Sequence, residues 1–155
     1  MSHNADHPDI PVVDLLDLWS HDGSANQRAM DGLARAFGEF GLVYVKSHGI
    51  DMPTLERFYD RFLAFTGRPT EEKARYGRPD IWYQRGYTPP NTEQAVAAGG
   101  QPDFKECYFA APFDADRELQ LQYPEIYADN LWPDGLPGFA DTYLALSHAL
   151  HAAGE

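Results

Sequence analysis

Three segments of the chain carry patterns that constrain its fold, and they occur in a fixed order. The first is FGEFGLVYVKSHGI at 37–50, the second is QRGYTP at 84–89, and the third is PDFKECYFA at 102–110. In the first segment, Gly41 can adopt the positive φ that ends a helix, and the run LVYV that follows has no polar alternate. Such a run is expected of a strand that is covered on both faces. The segment therefore predicts a helix, a buried strand and then a turn.

Hydrophobic periodicity places the helices. Apolar residues recur at steps of three and four residues and predict a helix over 25–40. Ser24 and Gln27 have the spacing of a capping box at its start. A second helix is predicted to begin near Asp51 and to end at Gly67, because an Asp side chain can accept hydrogen bonds from free backbone amides. Its expected core stripe is Leu55, Phe58, Tyr59, Phe62 and Leu63.

The rest of the chain is predicted to hold two further helices and three strands. A short helix is expected after Pro69, and a last helix from about Gly138. The last helix carries an apolar stripe of Phe139, Tyr143, Leu146 and Leu150, which we expect to be exposed in this chain. Strands are predicted at 10–15, around 82–87 and at 104–109, and residues 112–138 are expected to be extended.

Composition excludes several classes of function. The net charge of −12 repels phosphate backbones and anionic lipid surfaces, so neither nucleic acid nor membrane is expected as a partner. Cys107 is the only cysteine, which rules out an intrachain disulfide. The first residues are polar and acidic and do not look like a secretory signal. These features predict a cytoplasmic protein.

The three segments together resemble the N-terminal half of the isopenicillin N synthase-like 2-oxoglutarate/iron(II) oxygenases. The residues that carry the resemblance are Ser47, His48, Gly49, Ile50, Arg85, Gly86, Tyr87, Asp103, Lys105 and Glu106. The resemblance implies a mixed α/β fold that supplies the N-terminal helices and strands of a double-stranded β-helix (jelly-roll) oxygenase, with the barrel incomplete in this chain. Residues 1–9 are then a polar N-terminal tail, and residues 10–155 are the non-haem dioxygenase N-terminal domain.

The resemblance also implies Fe(II) and 2-oxoglutarate as cofactors, but we expect the ligands for both to be absent from this chain. Members of the family hold iron with a His-x-Asp pair and a distant His, and they bind the keto acid with Arg-x-Ser. His7 and Asp9 have the local spacing but lie in the polar tail, and no Arg-x-Ser occurs. His148 and His151, with Glu155, could share one face of the last helix and bind a metal, but we interpret them as a solvated face, because nothing encloses the end of this helix.

In relatives the Arg-Gly-Tyr segment runs beside the mouth of the active site. The resemblance therefore suggests four residues that line the substrate pocket: Gln84, Tyr87, Thr88 and Glu106. The structural alternative is that Gly86 permits a close backbone approach and that Tyr87 packs in the core. An inward-facing Glu106 could have a raised pKa.

Two further residues have structural interpretations. We expect His48 to fix its turn through hydrogen bonds to the backbone, and we expect Cys107 to fill core space and not to act as a nucleophile. No residue is predicted to be catalytic.

The sequence thus predicts the N-terminal part of a dioxygenase that hydroxylates, desaturates or cyclises a small organic substrate and is inactive alone. It would be completed by a missing C-terminal half or by a protein partner. One alternative is a non-catalytic interaction module on the same scaffold. Another is a metalloenzyme assembled between subunits through His7, Asp9, His148 and His151.

Overall fold

A computed structural model describes residues 9–93, 100–112 and 116–155 of the chain. It divides into two compact units, the first made of Met1–Ile50 with His151–Glu155 and the second of Asp51–Leu150. Within the described residues, no helix is both long enough and apolar enough to cross a membrane.

The first unit pairs two short parallel strands and packs helices beside them. Strand β1 (Val12–Asp14) pairs with β2 (Tyr44–Lys46), and between them lie α1 (Leu15–Leu18), α2 (Gly23–Arg35) and a π-helical turn at Ala36–Phe40. The first strand is shorter than predicted because the side chain of Asp14 accepts from the backbone N–H of Leu16 and so starts a helix.

The helix predicted over 25–40 is present, but its start was assigned to the wrong cap. Asp22 is the N-cap, and its carboxylate accepts from both the backbone N–H and the hydroxyl of Ser24, at 2.9 Å and 2.8 Å. Ser24 is therefore a donor to the cap, and the helix begins earlier than the capping-box pattern indicated. At the other end, the predicted positive φ of Gly41 is confirmed at 72°.

The turn after β2 also follows the prediction. The ring nitrogen Nδ1 of His48 accepts from the backbone N–H of Ile50 at 3.1 Å, so His48 fixes the turn as expected. The prediction that LVYV is covered on both faces is wrong for the described residues. All three residues of β2 are exposed, and within the described part of the chain β2 pairs with β1 alone.

The second unit contains the aromatic core. Helix α3 (Met52–Thr66) begins at Asp51 as predicted, with the carboxylate accepting from the backbone N–H of Thr54 at 2.7 Å. The predicted core stripe of this helix is partly wrong: Tyr59 and Leu63 are exposed, whereas Phe65 is fully buried. Phe65 packs edge-on against Tyr87 and Tyr108 and contacts Phe139; these four residues form the core cluster.

Short elements follow α3 and lead into a hairpin. They are α4 (Thr70–Lys73), 3-10 turns at Ala74–Tyr76 and Pro79–Ile81, and the antiparallel strands β3 (Gly86–Thr88) and β4 (Cys107–Phe109). Both strands are shorter than predicted. Gly86 has a φ of +80°, and a Cβ there would overlap the carbonyl oxygen of Tyr76, so the expected close backbone approach is confirmed.

The second unit ends with α5 (Arg117–Gln122) and with α6 (Phe139–Gly154) as far as Leu150; the rest of α6 belongs to the first unit. Helix α5 was not predicted, because the prolines of this region suggested extended chain. The stripe of α6 was expected to be exposed, and this is wrong for Phe139 and Leu146, which are buried. Only Leu150 of this stripe is largely exposed, at 56%. The reason is that Phe65 and Tyr108 of the same unit pack against Phe139.

Candidate substrate-side cavity on the β3–β4 hairpin

The β3–β4 hairpin positions the four residues predicted to line a substrate pocket. Tyr87 pairs with Tyr108 and Thr88 pairs with Cys107 in the antiparallel register. Successive side chains of a strand point to opposite faces, so Tyr87 and Thr88 face different environments. The hairpin therefore separates the four candidate residues into two groups.

Tyr87 and Glu106 belong to a hydrogen-bonded network around Lys73. The ammonium of Lys73 donates to Oε2 of Glu106 at 2.6 Å and to the carbonyl oxygen of Thr66 at 2.9 Å. The hydroxyl of Tyr87 donates to the same carboxylate oxygen at 2.6 Å, and the Lys73 ammonium lies 5.3 Å from the centre of the Tyr87 ring. The network ties α3, α4 and the hairpin together.

The network decides the charge state of its members. Burial alone would raise the pKa of Glu106, but the hydrogen bonds from Lys73 and Tyr87 and the charge of Lys73 outweigh it and lower that pKa. The predicted raised pKa of Glu106 is therefore wrong, because no local pattern indicates that Lys73 contacts this carboxylate. Burial, together with the neighbouring carboxylate, raises the pKa of the Tyr87 hydroxyl, which keeps its proton.

Gln84 and Thr88 lie together on a cavity of about 140 Å³. The other lining residues are Trp82, Tyr83, Thr92, Glu93 and Phe109. Thr88 is only 3% exposed, and its hydroxyl oxygen has no hydrogen-bond partner among the described residues. Neither Tyr87 nor Glu106 lines this cavity.

The turn that leads into the cavity holds two aromatic residues in an unfavourable backbone conformation. Trp82 and Tyr83 have φ values of 50° and 57°, in the left-handed region that bulky residues rarely adopt. Such a residue costs on the order of 1–3 kcal/mol and persists only where its surroundings impose the conformation. The backbone N–H groups of both residues donate to carbonyls of the preceding turn, at 3.2 Å and 2.9 Å, which holds the conformation in place.

Sequence reasoning missed Lys73, Trp82 and Phe109 as members of these sites. Lys73 lies in the short helix predicted after Pro69, and its partner Glu106 is 33 residues away. Trp82 and Phe109 could have been predicted as site residues from the sequence. Trp82 lies just before the segment 84–89, and Phe109 lies within the segment 102–110.

The other candidate residues near the hairpin have structural partners. Arg85 donates to the backbone carbonyls of Ala128, Ile126 and Gln84 at 3.1, 3.1 and 2.6 Å, so its guanidinium holds a loop. Burial raises the pKa of the Cys107 thiol, which agrees with the expected role of this residue in filling space.

The described residues do not fit an iron site. Among residues 9–93, 100–112 and 116–155, no group of three or more His, Cys, Asp or Glu side chains could hold a metal ion. Nε2 of His148 lies 2.6 Å from the carbonyl oxygen of Pro112, and His151 lies 3.1 Å from the carboxylate of Glu155. His7, which the metalloenzyme alternative requires, lies outside the described residues.

Comparison with known proteins identifies the class. The model of the family described as "non-haem dioxygenase in morphine synthesis N-terminal" matches residues 10–135. The chain therefore belongs to this family, the N-terminal region of the 2-oxoglutarate/Fe(II) oxygenases.

Curated relatives include isopenicillin N synthase of Flavobacterium sp., which is 25% identical over 150 residues covering 90% of this chain and 43% of the relative. Azadirone synthase of Melia azedarach is 31% identical over 134 residues, covering 84% of this chain and 37% of the relative. The chain thus spans less than half the length of these relatives.

Solved structures share the fold. A 2OG-Fe(II) oxygenase family protein from Caulobacter crescentus superposes with a TM-score of 0.72 at 25% identity, covering 94% of this chain and 45% of that protein. Full-length T7H of Neurospora crassa in complex with alpha-KG has a TM-score of 0.71 at 23% identity, covering 96% of this chain and 45% of T7H.

Proposed function

We propose that this chain is the N-terminal part of a 2-oxoglutarate/Fe(II)-dependent dioxygenase that oxidises a small organic substrate, and that it is inactive alone. One observation carries the proposal: the family match covers residues 10–135, while the chain spans only 37–45% of the relatives and structural neighbours described above. The remaining part would complete a jelly-roll barrel and would supply the ligands for iron and the keto acid.

In the complete enzyme, iron and 2-oxoglutarate supply the oxidising chemistry. The residues of this chain would contribute scaffold and one wall of the substrate pocket. In this proposal Gln84 and Thr88 line the substrate side of the hairpin, because they share the cavity. Tyr87 and Glu106 act as positioning residues, because their hydrogen bonds with Lys73 hold the other side of the hairpin.

The proposal includes a domain and a location. Residues 10–155 would form the N-terminal domain after a polar tail at 1–9, in a cytoplasmic enzyme. A small organic molecule is the expected partner. Nucleic acid is not expected, because the net charge of −12 repels it.

The test begins with the gene product as its source cells make it. The product is purified with an antibody raised against this chain, its intact mass is measured, and it is incubated with Fe(II), ascorbate and 2-oxoglutarate. The 155-residue chain is assayed in parallel. We expect a mass near twice 17.4 kDa, succinate formation by the native product, and none by the chain alone. A longer product that forms no succinate under any substrate tested would contradict the proposal.

An interaction module is the second candidate, and an observation in the first unit favours it. Apolar side chains there line an open groove of about 500 Å³, and several of them are exposed, among them Leu16, Trp19 and Phe37. Apolar surface of this kind marks sites that another protein surface covers. A native mass of 17.4 kDa without succinate formation would support this candidate over the enzyme.

A further inference from the structure

The cavity beside β3 holds a buried hydroxyl without a partner. Thr88 lines the cavity and is 97% removed from solvent, since only 3% of it is exposed, and its Oγ1 makes no hydrogen bond within the described part of the chain. Buried polar groups are nearly always hydrogen-bonded, because leaving one unpaired is costly. In this rotamer the hydroxyl oxygen itself is closed off, so a ligand that offers it a polar atom would remove this cost once the Thr88 side chain rotates its hydroxyl into the cavity.

The rest of the lining is aromatic or neutral and polar. Trp82, Tyr83 and Phe109 present rings, while Gln84 and Thr92 present an amide and a hydroxyl. Trp82 is 73% exposed although it is a large aromatic residue, and the strained turn described above holds it there. Backbone strain of this kind is concentrated where a protein binds ligands or performs chemistry.

The charges around the cavity disfavour an anion. Glu93 is the only ionisable carboxylate in the described lining, and it is paired with Lys105 at 2.9 Å. The chain as a whole carries a net charge of −12. An anionic group would meet a carboxylate whose cation is already engaged, whereas a neutral group would not be repelled.

The size of the cavity limits the occupant. A volume of about 140 Å³ is close to that of an engineered cavity of about 150 Å³ that binds benzene in another protein. One six-membered ring therefore fills the space.

We propose that this cavity binds one neutral six-membered ring that carries hydrogen-bonding groups, with the ring against the aromatic wall and a polar atom bonded to the Thr88 hydroxyl. The inference rests on the proposed function only in identifying this ring as part of the substrate. Binding of the ring itself requires neither iron nor 2-oxoglutarate, so it can fail while the proposed function stands.

The test measures ring binding by the full gene product, expressed from its native reading frame without added iron or keto acid. The probes are 2-pyridone, which is neutral and hydrogen-bonding, benzene, which has no hydrogen-bonding group, and benzoate, which is anionic. Dissociation constants are measured by ligand-observed NMR for the wild type and for Thr88→Val. Thr142→Val is the matched control, because the hydroxyl of Thr142 lies in α6 and already donates to the carbonyl of Gly138 at 2.8 Å.

We expect 2-pyridone to bind the wild type more tightly than benzene, and benzoate to bind most weakly. Thr88→Val should weaken 2-pyridone about tenfold, the effect of one hydrogen bond, and leave benzene unchanged. Thr142→Val should change neither constant. Equal 2-pyridone affinity in the wild type and Thr88→Val would overturn the proposal, and so would tighter binding of benzoate than of 2-pyridone. If Thr88→Val fails to fold, Phe109→Leu replaces it, and this variant should bind both 2-pyridone and benzene more weakly than the wild type. Unchanged affinity for both rings would refute the site.

Discussion

The ion pair between Lys73 and Glu106 should respond asymmetrically to the loss of either partner. The Lys73 side chain is 8% exposed, whereas that of Glu106 is 28% exposed. Glu106→Gln leaves a buried ammonium whose remaining oxygen partners are both neutral, the carbonyl of Thr66 and the Gln amide oxygen. Breaking a buried pair in this way costs about 3–5 kcal/mol, and because the Gln amide oxygen can still accept, we expect about 3 kcal/mol.

Lys73→Met should cost less, about 1–2 kcal/mol, because the carboxylate left behind can regain water and keeps its hydrogen bond from Tyr87. The free energy of unfolding is measured by urea titration with circular dichroism, and the m-values should not change. For a chain of this size, about 3 kcal/mol corresponds to a fall in Tm of roughly 6–12 °C. The double variant should be less destabilised than the sum of the two, by about 0.5–3 kcal/mol. A larger loss for Lys73→Met than for Glu106→Gln would refute the reasoning.

The same pair predicts a pH dependence. The pKa of Glu106 in the folded protein lies below its usual value of 4.5, because the bonds from Lys73 and Tyr87 outweigh the effect of burial. Above pH 4.5 the carboxylate is ionised in both states and its stabilisation is fully present. As the pH falls through the lowered pKa, the unfolded state binds the proton first and the stabilisation is lost. The stability difference between wild type and Glu106→Gln should therefore shrink on acidification below pH 4.5, and a constant difference would contradict this assignment.

Three other pairs of substitutions test the local structure by urea or thermal unfolding. Thr88→Val removes an unpaired buried hydroxyl and should stabilise the folded protein by about 1–2 kcal/mol. Thr142→Val loses a bonded hydroxyl and should destabilise it by about 1 kcal/mol. Destabilisation by Thr88→Val would mean that the Thr88 hydroxyl has a partner. Gly86→Ala adds a Cβ to a residue with φ of +80° and should cost more than about 3 kcal/mol. Gly38→Ala, which meets no atom within 4 Å, should be neutral or stabilising, and similar losses at both glycines would refute the steric argument. Asp51→Ala should cost about 1 kcal/mol through loss of the helix cap, while Asp51→Asn should cost little, and equal losses would exclude capping as the cause.

Several features set by neighbouring residues were predictable from the sequence, although the equally local caps at Asp14 and Asp22 were not. The cap at Asp51, the left-handed Gly41 and the turn fixed by His48 each depend on atoms within three residues. Their signals are therefore local and direct. Family membership was equally predictable, because the three characteristic segments at 37–50, 84–89 and 102–110 occur in a fixed order along the chain.

Features set by distant contacts were not predictable. Periodicity over α3 selected Tyr59 and Leu63 and missed Phe65, because burial depends on which face meets the hairpin. The charge state of Glu106 depends on Lys73, 33 residues away, and no local pattern connects them. Trp82 and Tyr83 looked like a strand because aromatic residues favour strands, yet hydrogen bonds of the preceding turn hold both in the left-handed region.

Two adjacent residues of β3 show how stability and binding are separated in this protein. The side chain of Tyr87 lies in the aromatic core and donates to a carboxylate that a buried lysine also holds, so Tyr87, Glu106 and Lys73 each have a polar partner. Thr88 lies on the opposite face, next to a strained turn, with a buried hydroxyl that has no partner among the described residues. Local rules of good packing are usually broken where a site serves something other than stability. A substitution that removes the unpaired Thr88 hydroxyl should therefore stabilise the fold and weaken ring binding. A substitution that breaks the hydrogen bond of Tyr87 should weaken both the fold and ring binding.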